Sequence, residues 1–214
     1  MRIAIAGGHG QIGQRLIRLL AGRGDEVRSI DRNPDYAEEL RSTGAEPVTC
    51  DLETATEEDV AKAIGSVDAI VFSAGAGPGS GSDRKWTMDY GGVMKLIEAA
   101  KANGIRRFLL VSSIGADPNA EGDDTFAVYL QAKGKADAEL QSSGLDHTIV
   151  RPTSLTDDPG TGLVELGGRV GRGQIPRDDV AAILAASLDT ENTIGKTFEA
   201  RSGETPIKEA VASL

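Results

Sequence analysis

Tyr129 and Lys133 stand four residues apart in Val128–Leu140, a segment whose apolar residues recur at helical spacing. Side chains four apart on a helix share one face, so a single ligand could touch both. A tyrosine hydroxyl has a pKa of about 10 in isolation; a neighbouring ammonium favours the phenolate and brings the group toward useful proton transfer at neutral pH. The pair reads as a general acid or base with an electrostatic helper. Spacing alone carries little weight, and its context decides its value.

A second constellation is Gly7-Gly8-His9-Gly10-Gln11-Ile12-Gly13, which satisfies G-x-x-G-x-x-G and, one residue later, G-x-G-x-x-G. It lies between an apolar run and a helix-period segment. Cradling a pyrophosphate requires a tight turn, close backbone approach and a helix packed on the strand, with the helix amino terminus supplying N–H groups and positive dipole; glycine meets these needs. Gly7, His9, Gly10, Gln11, Ile12 and Gly13 are therefore candidate cofactor contacts, although His9 is also read as a structural or solvent-facing turn residue. Eighteen residues beyond Gly13, at the end of the second predicted strand, Asp31 could accept hydrogen bonds from an adenosine ribose, which points to NAD. Its neighbour Arg32 could pair with a 2′-phosphate, which points to NADP, or stack on adenine. The two pull in opposite directions, and the choice stays open with a slight tilt to NADP. Asp51, in Cys50-Asp51-Leu52, could meet the adenine amino group or cap a local turn.

These residues need a scaffold. Short apolar runs at Arg2–Ala6, Glu26–Ile30, Pro47–Cys50, Val67–Ser73, Arg107–Ser112, His147–Val150 and Thr197–Ala200 alternate with helical patterns. Runs such as Ile-Ala-Ile-Ala (3–6) and Phe-Leu-Leu-Val (108–111) suit parallel strands covered on both faces. Ile12, Leu16, Leu19 and Leu20 share one helical face, and Val93, Leu96, Ile97 and Ala100 another, as crossover helices require. The expected fold is α/β: a Rossmann-type doubly wound, mostly parallel sheet flanked by helices. Gly75–Asp83, Ala116–Thr125 and Thr153–Gly173 look irregular, and each follows a predicted strand, where the ligands of such sheets bind. With no repeat or linker, 1–214 reads as a single NAD(P)-binding domain, with substrate-side elements at about 153–176 and 190–214. Later elements are a helix at Arg177–Leu188 and a final one near Ile207–Ser213. Trp86, beside the glycine loop, either caps the substrate pocket or anchors the loop.

The 214 residues carry 23 Lys+Arg and 33 Asp+Glu, a formal charge of −10, the wrong sign for wrapping DNA or RNA. Cys50 is the single cysteine, so an intramolecular disulfide is excluded; with two histidines, a histidine-rich metal cluster is excluded too. No apolar run approaches the roughly 20 residues of a membrane helix. The expectation is a cytoplasmic protein acting on a small molecule, with no nucleic-acid, membrane or metal partner and an oligomeric state the sequence leaves open.

With the glycine motif, Asp51-Leu52, Ser73-Ala74-Gly75, Val111-Ser112-Ser113 and Tyr129-x-x-x-Lys133, the chain resembles the short-chain dehydrogenase/reductase superfamily over nearly its whole length. It is similar in particular to the atypical NAD(P)H-binding branch related to NmrA-like and biliverdin/flavin reductase-like proteins. The motifs behind that narrower likeness are Arg32-Asn33-Pro34, the run 143–152 ending in Val150-Arg151-Pro152, Asp158-Pro159-Gly160-Thr161-Gly162 and Arg177-Asp178-Asp179-Val180-Ala181. The resemblance implies a nicotinamide dinucleotide near the backbone of Ala74 and Gly75, with the segment after Pro152 facing the nicotinamide. It further implies that Lys133 holds the nicotinamide ribose and that Ser113, in preference to Ser112, steadies a substrate carbonyl. Asp31 departs from the apolar residue common before the arginine in NADP-binding relatives, and His9 from the commoner threonine or asparagine.

The function expected is hydride transfer between nicotinamide and a small carbonyl or conjugated substrate, with Tyr129 as acid or base. The alternatives are a non-enzymatic redox sensor of the NmrA-like kind, and a flavin or tetrapyrrole reductase working by direct hydride transfer. The short stretch beyond the sixth strand counts against the large sugar-nucleotide pocket of epimerases and dehydratases. No nucleophile-elbow context supports hydrolysis.

Overall fold

The structure is a computed structural model that describes residues 1–77 and 79–214; Pro78, within the expected glycine loop, lies outside the described residues. Among them, nine strands form one sheet in the order β11-β8-β10-β6-β5-β4-β1-β2-β3. Its parallel part comprises β1 (Arg2–Ala6), β2 (Glu26–Asp31), β3 (Ala45–Thr49), β4 (Ala69–Phe72), β5 (Arg107–Val111), β6 (Asp146–Pro152) and β10 (Lys196–Ser202). Outside β10, β8 (Leu163–Gly167) and β11 (Thr205–Pro206) close the sheet antiparallel. The chain order reverses between β1 and β4, and the connections that leave their carboxyl ends border a crevice there.

Every residue of β4 is buried, as is β5 from Phe108 onward, because helices cover both faces. On one face α1 (Gln11–Gly22), α7 (Arg177–Leu188) and α8 (Ile207–Ala212) bury Ile12, Leu16, Ile17, Val180 and Leu184 with Ile3 and Ile5 of β1. On the other, α3 (Glu57–Ile64), α5 (Gly91–Ala102) and α6 (Thr125–Ser142) bury Val60, Val93, Leu96, Ile97 and Leu140 with Ala4, Ala6 and Phe72. The short α2 (Ala37–Thr43) packs beside β3. Leu19 departs from the expected apolar face: the buried arc of α1 centres on Leu16 and Leu20, with Ile17 inside it, and Leu19 at its margin is 45% exposed.

Two regions depart from the sequence reading. The stretch 153–173 is not wholly irregular: it holds β7 (Ser154–Thr156) and β8, and β7 pairs with β9 (Gln174–Pro176) in a small separate ribbon. Residues 190–214 build β10, β11 and α8 at the far sheet edge, so they extend the scaffold rather than line the crevice. The two late sequence motifs prove to be one device. Asp179, buried in the first turn of α7, accepts the N–H groups of Thr161 and Gly162 at 3.0 and 2.9 Å, while Asp178 accepts that of Gly160 at 3.1 Å. The carboxylates near the helix amino terminus thus fasten the preceding glycine loop.

Before α5, residues 82–90 form one turn of α-helix, α4 (Ser82–Arg84), and then a π-helical segment, Lys85–Tyr90. The wider π turn rotates side chains out of ordinary helical register, and such segments concentrate at functional sites. Here it places Lys85 and Asp89 inside the protein.

Candidate active site

The crevice has two halves joined along Ser73–Gly77. The first, of about 500 Å³, runs from the glycine turn over the ends of β1 and β2 and is bordered by Gly7, Gly10, Asp31, Arg32, Tyr36 and Asp51. Gly7 has φ +80°, and a Cβ there would stand 2.6 Å from Ala74 Cα, so the turn packs against the end of β4 only because the side chain is absent. Gly13 is buried beneath the same turn, where a Cβ would meet Gly7 O at 2.4 Å. Gly10 is the N-cap of α1 and supplies no side-chain cap, and the first turn carries no acidic residue. The opening N–H groups of the helix are left to an outside acceptor, with the positive end of the dipole behind them. This fits the pyrophosphate of a dinucleotide.

The candidate residues of this half divide. His9 stacks on Tyr36, with ring centres 3.4 Å apart, and its Nε2 lies 3.0 Å from Glu39, so it braces the turn against α2. Both Asp31 oxygens are engaged: Oδ1 accepts His9 N–H at 3.1 Å and Oδ2 accepts Ser29 Oγ–H at 2.6 Å. Arg32 is 58% exposed at the rim, with a distant ion pair to Glu53 at 3.7 Å. Asp51 closes its own turn by accepting Glu53 N–H at 3.0 Å, and buried Leu52 backs it. Gln11 is exposed and engaged with Arg15. Arg84, which the sequence reading missed, also borders this half; it donates to Glu53 at 2.7 Å and to the Ala76 carbonyl at 2.9 Å. The Arg84 guanidinium holds the Glu53 carboxyl below its usual range against the effect of partial burial, with a smaller contribution from Thr87.

The second half, of about 520 Å³, lies between β5, α6 and the π-helical segment, with Ile12, Ala74 and Gly75 at its junction with the first. Tyr129 and Lys133 line it together, as their spacing on α6 requires. Lys133 Nζ lies 5.9 Å from the centre of the Tyr129 ring and donates to the Val111 carbonyl at 3.0 Å. Its counter-ion is Asp89, at 3.4 Å, which also accepts Ala76 N–H at 3.2 Å. Burial alone would lower the Lys133 pKa, but Asp89, Tyr129 and Asp137 together hold it above the ordinary lysine value. Asp89 is the principal residue missed from the sequence. Nothing in Lys-Trp-Thr-Met-Asp announces a π turn, and the only available signal was a carboxylate four residues after Lys85.

The serines exchange places. Ser112, not Ser113, lines the cavity, but its hydroxyl donates to buried Asp137 at 2.9 Å; Ser113 donates to the Ile114 carbonyl at 3.1 Å and stands outside the lining. The exchange follows from the strand: residues alternate sides at the end of β5, and Ser112 points toward α6. Arg151 Nε also donates to Asp137 at 2.8 Å, yet burial keeps the Asp137 pKa raised. Pro152 is buried at the end of β6, where its carbonyl accepts Ile114 N–H, and Leu155 is the residue beyond it that reaches the cavity. Trp86 packs edge-on to Tyr90 under Lys135 and is absent from the lining, so it anchors the segment. Among the described residues, no group of three or more His, Cys, Asp or Glu side chains could hold a metal, and no helix is long and apolar enough to cross a membrane.

A β3-β2-β1-β4-β5-β6 order with an uncapped helix and a glycine turn at its switch point defines an α/β protein that binds a dinucleotide. The chain belongs to the NAD(P)H-binding family, whose model matches residues 7–191. It is 41% identical over 215 residues to a Bacillus subtilis protein named uncharacterized sugar epimerase YhfK, with all of both chains covered. Among solved structures, a putative NAD-dependent epimerase/dehydratase from Bacillus halodurans is 39% identical, with a TM-score of 0.92 and all of both chains covered. The anaerobilin reductase ChuY from Escherichia coli O157:H7 is 25% identical, with a TM-score of 0.78 over 94% of this chain and 97% of that one. The fold and family are therefore those of the atypical short-chain dehydrogenase/reductase branch, an oxidoreductase-like group with reductase members.

Proposed function

We propose that this protein is an NADP-dependent oxidoreductase that moves a hydride between nicotinamide and a small carbonyl or conjugated substrate, with Tyr129 transferring the proton. The observation that carries the reading is the presence of Tyr129 and Lys133 on one wall of a cavity continuous with the glycine-turn groove. A bound nicotinamide dinucleotide would supply the hydride. Gly7, Gly10 and the first N–H groups of α1 would hold its pyrophosphate, with Ala74 and Gly75 at the passage between the two halves. Asp89 and the Val111 carbonyl occupy two of the three Lys133 donors and hold its charge beside the Tyr129 ring. Ser112 is turned toward Asp137, so the seryl assistance implied by the resemblance is not part of this reading. NADP is preferred over NAD because Arg32 is exposed and loosely paired, whereas the Asp31 carboxylate is already used in the turn.

Among the residues that line the cavity, Ile12, Val111, Phe126 and Leu155 form an apolar set suited to a flat organic substrate rather than to the sugar in the name of one relative. That lining also supports a second reading, direct hydride transfer to a flavin or tetrapyrrole with Tyr129 dispensable. Cys50 is buried at the end of β3 and fits a reducing compartment, so the cytoplasm is the proposed location.

The test is NADPH oxidation by the purified protein across aldehydes, enones, flavins and bilins, comparing wild type with Tyr129→Phe. A loss of turnover of about 10²- to 10⁴-fold, with unchanged NADPH affinity, is expected. Turnover that survives the substitution would select direct transfer. Binding of NADPH without turnover of any acceptor would overturn both readings in favour of a sensor.

A further inference from the structure

We infer that the substrate carries a carboxylate on a flat conjugated body, and that Lys85 is the residue that receives it. The inference rests on the reading above that the second half of the crevice is the substrate side. Lys85 belongs to none of the motifs discussed, yet it is only 8% exposed and lines that cavity. Its Nζ donates to the Gly77 carbonyl at 3.1 Å and stands 5.5 Å from the centre of the Tyr129 ring, lining the same cavity as Lys133.

The charges do not balance. An ammonium has three donors, and among the described residues Lys85 has the one carbonyl acceptor and no carboxylate within 4.0 Å. Lys133 is matched by Asp89, whose two oxygens serve Lys133 and Ala76 N–H. The lining therefore holds two ammonium groups against one carboxylate. A buried cation without a counter-ion is costly, and an incoming carboxylate would relieve that cost through charge-assisted hydrogen bonds.

The body of the substrate is set by the mouth. Phe126, at the start of α6, is 66% exposed yet borders the cavity, and its ring centre lies 6.2 Å from that of Tyr129 with 29° between planes. Two roughly parallel aromatic faces over an apolar floor suit a planar ring, with its anionic end directed at Lys85. The pyrophosphate of a dinucleotide has its own place at α1, so the two anion sites are separate.

The experiment is calorimetric titration of the full chain, with and without saturating NADPH, using trans-cinnamate and its neutral isostere trans-cinnamamide. Cinnamate should bind at least about tenfold more tightly. Lys85→Met should abolish that preference and Lys85→Arg should keep it, while NADPH affinity stays unchanged in both. Equal binding of the two probes, binding of neither, or a preference that survives Lys85→Met would overturn the inference. Loss of NADPH affinity in Lys85→Met would also overturn it, by assigning Lys85 to the nucleotide. Failure of wild type to bind NADPH, with the Lys85-dependent preference intact, would sink the oxidoreductase reading and leave the carboxylate site standing.

Discussion

Asp89 holds Lys133 at 3.4 Å, carboxylate against ammonium, with both side chains almost wholly buried. The pair joins the π-helical segment to α6 and sets a fixed positive charge beside the ring of Tyr129. Removing one partner of such a pair leaves an uncompensated buried charge. Asp89→Asn should destabilise the protein by about 3–5 kcal/mol, measured by urea unfolding, and adding Lys133→Met should restore part of that loss. A neutral Asp89→Asn would show that the pair has no structural role.

Arg32 and Asp31 are adjacent but do different work. Arg32→Ala should weaken NADPH binding by about 10- to 100-fold and leave NADH almost untouched, since one charge-assisted contact is lost. Asp31→Ala frees His9 N–H and Ser29 Oγ, loosens the glycine turn and should weaken both nucleotides alike. Selective loss of NADH in calorimetry of Asp31→Ala would restore a direct ribose contact.

Gly7→Ala combines a left-handed backbone with a 2.6 Å approach to Ala74 Cα. The conformation alone costs about 1–2 kcal/mol, and the clash adds to it by separating β1 from β4 where the crevice opens. A lower melting temperature together with loss of nucleotide binding is the expected result. Retention of full NADPH affinity would remove the turn from the binding site.

Glu53 links acidity to the adenosine half. Its pKa lies below the ordinary glutamate value of 4.5, chiefly through its hydrogen bond to Arg84. The folded state therefore binds this proton less readily than the unfolded chain does. The contribution is complete above the ordinary value and is lost as pH falls through the folded one. In urea titrations from about pH 6 to about pH 3, Glu53→Gln should start less stable and lose stability less steeply than wild type. Parallel curves would show that Arg84 and Glu53 are not coupled in solution.

The strands of the parallel sheet were legible to within a few residues because burial on both faces leaves near-continuous apolar runs. β8 was not, because Leu-Val-Glu-Leu-Gly amid glycines pairs at the sheet edge through partners supplied by β10, and those lie far along the chain. Leu19 and Ile17 exchanged roles because helical spacing fixes an arc but not where the neighbouring helix meets it.

The sequence by itself determined the nucleotide turn and the shared face of Tyr129 and Lys133, since glycine's backbone freedom and the i, i+4 helical repeat are local properties. The tertiary structure decided what those residues meet. Lys85 and Asp89 enter the cavity because a π turn packs against α6. Ser112 displaces Ser113 because β5 ends facing Asp137, and Asp31 is drawn into the turn by His9 and Ser29. Such pairings join residues distant in sequence, and a buried charge takes its partner from whatever chain the fold brings within hydrogen-bond reach.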